Sequence, residues 1–196
     1  MGKGDETRAA VLDFALREAS RVGLEGLSIG NLARDLGLSK SGLFAHFQSK
    51  EALQIQVLET AAARFLETVM APALRVPRGE PRIRALFERW LEWSDVLGLP
   101  GGCIFVAAAA ELDDREGPVR EALVRSQRDW LEALARAARL AVEVGHFRAD
   151  LDAAQFAHEL YSILLGFHHA RRLLRDPDAR RRAERAFEAL LARSRP

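Results

Sequence analysis

Residues 28–47, SIGNLARDLGLSKSGLFAHF, constrain this chain more than any other stretch. Ser28 can cap the free N–H groups at the start of a first short helix. Gly37 can take the left-handed conformation that ends a helix and reverses the chain. Ser39 is then predicted to cap a second helix over residues 40–47. The stretch therefore predicts two short helices joined by a tight turn.

The apolar residues of this stretch indicate which faces are buried. Small Ala33 is predicted where the two helices cross. Larger residues are predicted to dock on a third helix: Leu32, Leu36, Leu38, Leu43 and Phe47. The residues left facing outward are small, polar or basic: Lys40, Ser41, Gly42, Ala45 and His46. Such a strip suits a helix that reads the major groove of DNA. An ordinary helical hairpin is the alternative, but it explains less well why both caps, the crossing alanine and the turning glycine occur together.

The same stretch and the residues after it resemble the TetR family of transcriptional regulators. The resemblance rests on Ser28, Leu32, Ala33, Gly37, Leu38, Ser39, Lys40, Leu43, Phe47, Ser49, Lys50, Glu51 and Leu53. These residues span about the first quarter of the chain, and the remainder resembles the family only in its helical layout. The resemblance implies an all-α fold, with an N-terminal three-helix helix-turn-helix domain and a larger C-terminal helical domain for ligand binding and dimerisation.

The resemblance also implies a set of DNA-binding residues: Ser28, Ser39, Lys40, Ser41, Gly42, Phe44, His46 and Lys50. By similarity, Ser28 and Lys50 would bind phosphates at the starts of two helices, and His46 would contact the DNA backbone. Lys40, Ser41 and Gly42 would approach base edges.

Two positions depart from the family pattern. Phe44 stands where a tyrosine is common, so a hydroxyl-to-phosphate bond is expected to be missing. Gly42 stands where threonine or serine is common, and it costs a helix about 1 kcal/mol relative to alanine. Either Gly42 permits a close approach to DNA, or the reading helix becomes ordered only when it is bound.

The order of the other predicted elements indicates an all-α protein, because no strand-like alternation occurs. Helices are predicted over residues 6–22, 49–70, 82–97, 103–112, 117–144, 152–174 and 178–193, with a proline-containing linker over 72–81. The helix from residue 49 is expected to stop before Pro72. The predicted organisation is a DNA-binding domain over residues 1–50, with its linking helix starting at 49, and a regulatory and dimerisation domain over 51–196.

Three packing details are also predicted. The first helix is expected to bury Ala9, Leu12, Phe14, Ala15, Ala19 and Val22. The segment 103–112 is almost uncharged, which predicts a helix that is packed on all sides. The acidic cluster of Glu111, Asp113, Asp114 and Glu116 could hold a cation, but it is interpreted as a solvated turn that caps Gly117.

Composition excludes several classes of protein. No apolar run approaches the roughly 20 residues of a membrane span, and the N-terminus lacks the apolar centre of a signal peptide, so a cytoplasmic protein is expected. The single cysteine, Cys103, excludes an internal disulfide and a cysteine-based zinc site. Net charge is only +1, and residues 1–50 carry seven basic and six acidic side chains. DNA affinity is therefore expected to come from a few placed contacts together with dimerisation.

Catalytic and metal sites find little support. The chain contains none of the motifs GxSxG, HExxH, P-loop or dinucleotide fingerprint, so it is not expected to be an enzyme or to bind a cofactor. His168 and His169 are adjacent on a predicted helix and point about 100 degrees apart, so one helix cannot direct both to a single metal ion.

Two regions suggest further contacts. Bulky side chains on helices that should converge form a predicted pocket for a small apolar or aromatic ligand: Trp90, Trp93, Cys103, Phe105, Trp130, Phe156 and Tyr161. Plain core packing is the alternative for each of them. Apolar stripes on the last two helices predict a homodimer interface: Tyr161, Leu164, Leu165, Gly166, His168, Ala183, Phe187, Leu190 and Leu191. The alternative is that both stripes pack only within one chain.

The sequence thus predicts a homodimeric regulator, a repressor that a small-molecule ligand releases from a palindromic operator in double-stranded DNA. The alternative is a helical enzyme or small-molecule binding protein that does not bind DNA.

Overall fold

The structure, a computed structural model, describes residues 3–196. Its described part consists of ten α-helices and one π-helical segment, with no strand, so the predicted all-α fold is confirmed. The helices are α1 (Lys3–Val22), α2 (Ile29–Asp35), α3 (Lys40–Phe47), α4 (Lys50–Phe65), α5 (Ala71–Leu74), α6 (Glu80–Val96), α7 (Ile104–Leu112), α8 (Pro118–Glu143), α9 (Ala153–Arg172) and α10 (Ala179–Ser194). The π-helical segment, Leu66–Met70, lies between α4 and α5.

Two compact units divide the chain. The first contains the residues up to Arg64 together with Leu97–Arg125, and the second contains Phe65–Val96 and Ser126–Pro196. The first unit therefore includes α7 in addition to the N-terminal helices. The functional boundary that the sequence predicts near residue 50 stays a prediction.

Side-chain caps and a glycine turn organise the N-terminal helices of the first unit. Ser28 and Ser39 are extended residues whose hydroxyls accept N–H bonds at the starts of α2 and α3. Gly37 has a φ of +65°, which a residue with a side chain rarely adopts, so the chain turns between the two helices here. Leu43 and Phe47 of α3 are almost fully buried. The predicted helix, turn and helix are therefore present.

Several predicted details of these helices are wrong. Leu38 is 36% exposed, because it lies in the turn outside both helices. The buried residues of α1 are Val11, Ala15, Leu16, Ala19 and Ser20, whereas Ala9 and Val22 are exposed. Only part of the α1 face was therefore predicted correctly.

The predicted linker over residues 72–81 begins too early, because α5 includes Pro72. A proline lacks an N–H group but is tolerated in the first turn of a helix, where Pro72 lies.

The prediction that the helix over residues 103–112, here α7, is packed on all sides is wrong. Its alanines at 109 and 110 are exposed although Ile104 and Ala108 are buried.

Aromatic packing and an ion-pair network, in which Arg84 bridges Glu80 and Glu188, hold the second unit together. Phe187 of α10 stacks on Phe87 of α6, with ring centroids 4.0 Å apart and an interplanar angle of 14°. Asp152 caps α9, because its carboxylate accepts the N–H groups of Ala154 and Gln155. Helices α6 and α10 thus share one core, and α9 packs against both of them.

Candidate functional site

The outward face of α3 carries the residues that were predicted to read DNA. Lys40, Ser41, Gly42 and Ala45 are exposed and His46 is half-buried, while the opposite face of α3 is buried. Phe44 lies among them with 53% of its surface exposed, which is unusual for a large apolar side chain. The predicted strip is therefore available to a partner.

Three serine hydroxyls cap the helices around this strip. Ser39 Oγ accepts from Gly42 N at 3.0 Å, Ser28 Oγ from Asn31 N at 3.5 Å, and Ser49 Oγ from Ala52 N at 3.0 Å. Capping uses each hydroxyl as an acceptor, so its own O–H can still donate to a phosphate oxygen.

Lys50 is already engaged within the first unit. Its Nζ donates to the carbonyl oxygen of Glu25 at 2.6 Å and lies 3.5 Å from Glu25 Oε2. The hydrogen bond from Gln54, together with Arg115 and Lys50, holds the pKa of the Glu25 carboxyl below its usual range. A phosphate that binds Lys50 must therefore compete with Glu25.

A carboxylate from α7 holds the loop between α1 and α2. Glu111 accepts N–H bonds from Leu24 at 3.2 Å and from Glu25 at 2.9 Å. Gln54 donates from the other side to the carbonyl of Leu24 at 2.9 Å. The interpretation of Glu111 as part of a solvated turn is therefore wrong, because it is half-buried and joins two segments that lie far apart in sequence.

The loop before α7 also approaches α1 closely. Gly101 N donates to Ser20 Oγ at 3.2 Å, and a Cβ placed on Gly101 would lie 1.2 Å from the carbonyl oxygen of Ser20. No side chain fits in this space, so only glycine permits the contact.

A polar cleft of about 440 Å³ lies beside the C-terminal end of α3. Arg8 of α1, His46 and Gln48 at the end of α3, and Gln56 of α4 line it. Arg8 donates to Gln56 Oε1 from Nε at 3.2 Å and from a terminal nitrogen at 2.8 Å. The guanidinium is thus held by a neutral amide.

Two of the predicted ligand-binding residues come together in the second unit. Trp93 and Trp130 both meet the ring of Phe65 edge to face, at centroid distances of 5.3 and 5.0 Å. Trp130 is buried, and its indole N–H has no hydrogen-bond acceptor among the described residues. Tyr161 donates its hydroxyl hydrogen to Gln127 Oε1, one helical turn before Trp130. Phe65 was not predicted, although it continues the buried spacing of Val57 and Ala61.

Of the other predicted ligand-binding residues, Trp90 and Phe156 lie in the second unit, and Cys103 and Phe105 lie in the first. Phe156 packs against Phe147 at a centroid distance of 5.2 Å, and Trp90 is 4% exposed in the core of the second unit. Cys103 and Phe105 are buried in the first unit.

The predicted dimer residues divide into two groups. On α10, Ala183, Phe187, Leu190 and Leu191 are buried within the second unit, which favours the alternative that this stripe packs inside one chain. On α9, Gly166 is exposed and Tyr161, Leu165 and His168 are half-buried, while Leu164 is buried. Only part of the α9 stripe therefore remains accessible. Burial, with Arg172 and Arg171 nearby, lowers the pKa of His168 to about 4.

Metal and membrane sites find no support in the part of the chain that the structure describes. No three histidine, cysteine, aspartate or glutamate residues there are placed to hold a metal ion. No helix among the described residues has the length and apolar character needed to cross a bilayer.

Comparison with known proteins identifies the family. A model of bacterial regulatory proteins of the tetR family matches residues 11–57. A model of the tetracyclin repressor-like C-terminal domain matches residues 79–187, which is more than half of the chain. The two matches cover α2 and α3 and most of the second unit.

Individual relatives agree with these models. The HTH-type transcriptional regulator AcrR of Shigella flexneri is 29% identical over 79 residues, which are 40% of this chain and 36% of that protein. The chain thus spans about a third of the length of this relative. A TetR transcriptional regulator from Chloroflexus aurantiacus superimposes with a TM-score of 0.86 at 26% identity, covering 98% of this chain and 96% of that one. AibR, solved in complex with isovaleryl coenzyme A and operator DNA, superimposes with a TM-score of 0.72 at 22% identity, covering 94% and 95%. The chain therefore belongs to the TetR family of transcriptional regulators, which are DNA-binding proteins rather than enzymes and which bind operator DNA as homodimers and respond to small molecules.

Proposed function

We propose that this protein is a cytoplasmic repressor that binds a palindromic operator as a homodimer and leaves it when a small apolar or aromatic molecule binds. Residues 1–50 read the DNA and residues 51–196 carry the regulatory and dimer contacts. The observation that supports this most directly is the exposed strip of α3, which is polar, basic and held by serine caps.

The proposed DNA contacts follow from what each side chain can donate. The hydroxyls of Ser28 and Ser39 donate to phosphates while they cap their helices. Lys40 and Ser41 reach base edges in the major groove, where Gly42 allows close approach. The exposed ring of Phe44 makes an apolar contact, for which a thymine methyl group is a suitable partner.

Lys50 is proposed to exchange one acceptor for another. In the free protein its ammonium group binds the carbonyl and carboxylate of Glu25. On DNA it would turn to a phosphate, which carries a full charge and forms a stronger charge-assisted bond than a carbonyl does. Glu25 keeps Arg115 as a partner at 3.1 Å, so it would not be left unpaired.

The proposed ligand lies against Trp93 and Trp130 near Phe65. Flat apolar molecules pack well against such rings. The buried N–H of Trp130 adds a requirement, because a buried donor without an acceptor costs roughly 1–3 kcal/mol. The preferred ligand therefore carries a carbonyl or another acceptor as well as an apolar body. Cys103, Phe105, Trp90, Phe156 and Tyr161 remain proposed contacts.

Release from DNA would follow from a change in the distance between two reading helices. The two half-sites of a palindrome lie about 34 Å apart, one turn of DNA, so a displacement of a few ångströms would prevent both α3 helices from binding together. Glu111 bonds α7 to the loop before α2, which offers a route by which movement of α7 would reach the reading helices. The fold accommodates both kinds of ligand in AibR.

The homodimer is proposed to form through the accessible faces of α9 and α10. On α9 these faces include Ser162 and Gly166, and on α10 they include Ala186 and Ala189, all exposed. Small side chains allow two helices to approach closely, which a four-helix bundle formed by α9 and α10 of two protomers would require.

Selection of duplexes from a random-sequence pool tests the proposal. The purified protein should enrich a palindromic sequence. Lys40→Ala and Ser41→Ala should then change which bases are preferred, whereas Lys50→Ala should weaken all sequences alike. Enrichment of no sequence at low salt would refute the proposed function. Unchanged preferences in both α3 variants would show that α3 is not the reading helix.

A further inference from the structure

We infer that the cleft between α1, α3 and α4 is a second DNA contact, a site for a backbone phosphate held by Arg8, His46 and Gln48. This inference rests on the proposed DNA binding and extends it to residues outside the helix-turn-helix motif. Arg8 and Gln48 were not among the residues that the sequence predicted to bind DNA.

The first argument comes from charge. Most arginines of the first unit with a described partner are already paired with carboxylates, among them Arg21 with Glu18 at 2.7 Å and Arg64 with Asp13 at 3.0 Å. Arg8 instead binds the amide oxygen of Gln56, which orients the guanidinium, and it has no carboxylate partner among the residues whose side chains the structure describes. No described residue that lines the cleft carries a carboxylate. The cleft is therefore suited to an anion.

The second argument comes from the backbone. Gln48 has a φ of +62° and a ψ of −39° at the end of α3. A residue with a side chain is strained there, and glycine is the usual choice at such a position. Because Gln48 lines the cleft, this conformation places an amide donor where glycine would place none.

The third argument comes from position. His46 lines the cleft and precedes Phe47, the buried residue that fixes the end of α3. The outward strip of α3 continues directly into the cleft through Ala45 and His46. A duplex that contacts this strip would therefore present a phosphate beside Arg8. The cleft has a volume of about 440 Å³, which admits a phosphodiester group together with water.

The test compares three variants with one matched control. Arg8→Ala removes the cation, Gln56→Glu neutralises it with a carboxylate, and Gln48→Gly removes the amide. The control, Arg17→Ala, removes an exposed arginine of the same helix that does not line the cleft. Affinity is measured for the selected duplex and for a random duplex over a range of salt concentrations.

Phosphate binding predicts a common pattern. Arg8→Ala and Gln56→Glu should each lower the affinity for both duplexes by about ten- to a hundredfold. The slope of log Kd against log salt concentration should fall by about one per subunit. Gln48→Gly should raise Tm, because strain is relieved, and still weaken binding several-fold. Arg17→Ala should leave the affinity much closer to that of the unchanged protein.

Structural roles predict the opposite pattern. If Gln56 only stabilises α1 against α4, Gln56→Glu should bind DNA normally, since a carboxylate holds Arg8 at least as well. The inference would be overturned if the unchanged protein bound the selected duplex preferentially and all three variants had the same affinity as Arg17→Ala. The proposed function would then remain intact. If the unchanged protein showed no sequence preference while Arg8→Ala still weakened binding to the random duplex, the proposed function would be overturned and the phosphate site would stand.

A small free anion is the remaining alternative occupant. Titration with inorganic phosphate, followed by NMR shifts of the His46 and Gln48 signals, separates it from DNA. Millimolar phosphate binding that depends on Arg8, together with normal duplex affinity in Arg8→Ala, would show a site for a free anion and would overturn the assignment to DNA.

Discussion

Two clefts of nearly equal volume, one in each unit, use arginine in opposite ways. The cleft of the first unit, about 440 Å³, contains Arg8 bonded to a neutral amide. The cleft of the second unit, about 450 Å³, contains Arg84 and Arg195 on either side of Glu80. Arg8 has no carboxylate partner among the described side chains, whereas Arg84 and Arg195 are both paired with carboxylates of the second unit. The role inferred for Arg8 thus follows from the neutral acceptor beside it rather than from its exposure.

The largest expected effect separates Arg84 from Arg8 in stability. Arg84 bridges Glu80 and Glu188 and lies 5.9 Å from the centre of the Phe187 ring. Arg84→Ala should lower the free energy of unfolding by about 2 kcal/mol, because two carboxylates lose a shared partner. Arg8→Ala should change it by less than about 0.5 kcal/mol. Urea unfolding of both variants measures the difference, and equal losses would remove the distinction between the clefts.

Acid should expose the role of Glu80 in the second cleft. Its hydrogen bonds with Arg195, followed by those with Arg84, lower the pKa of Glu80 from 4.5 to about 2. The folded state thus favours the carboxylate, so this stabilisation is complete above pH 4.5 and is lost as the pH falls towards 2. After allowance for screening by solvent, the loss should be about 1–3 kcal/mol. Tm measured against pH should therefore fall less steeply in Glu80→Gln over this window.

His168 should produce a separate acid step in the second unit. Burial lowers its pKa from 6.5 to about 4, so the unfolded chain takes up a proton first as the pH falls. The stability associated with neutral His168 is complete above pH 6.5 and is lost as the pH falls to 4, by on the order of 1 kcal/mol. His168→Gln should flatten Tm between these values. His158→Gln, a change at an exposed histidine of the same helix, should not.

The smallest expected effect lies on α3. A methyl group at position 42 would meet Ser39 Oγ at 2.9 Å, so Gly42→Ala should gain about 1 kcal/mol in helix propensity and lose a similar amount from the cap. Little net change in unfolding is expected. Operator affinity then separates two explanations. Weaker binding would indicate that Gly42 permits close approach to DNA, and unchanged or tighter binding would indicate that α3 becomes ordered on DNA.

Contacts between residues that are close in sequence could be predicted, whereas contacts between residues far apart in sequence could not. Ser28, Ser39 and Asp152 cap helices that begin at the next residue, so each cap could be predicted from its own neighbourhood. Glu111 binds a loop 86 and 87 residues away, and nothing in its local sequence indicates this. The acidic neighbours of Glu111 instead suggested a solvated turn.

The candidate sites show the same limit. The spacing of Phe187 on α10 correctly indicated an apolar face but not which surface covers it, and that surface proved to be Phe87 of the same chain. Phe65 and Arg8 could not be predicted from the sequence, because each contacts a residue on another helix, Trp130 and Gln56 respectively. Periodicity shows that a face is apolar or polar, while tertiary packing decides its neighbour.

The contact between Gly101 and the Ser20 carbonyl has a genetic consequence. Any other residue at position 101 would collide with the backbone of α1, so even alanine must push two segments of the first unit apart. A screen for alleles that have lost repression should therefore recover substitutions at this codon, although Gly101 belongs to neither the reading helix nor the aromatic cluster. Such alleles would act through a displaced main chain rather than through a lost DNA contact.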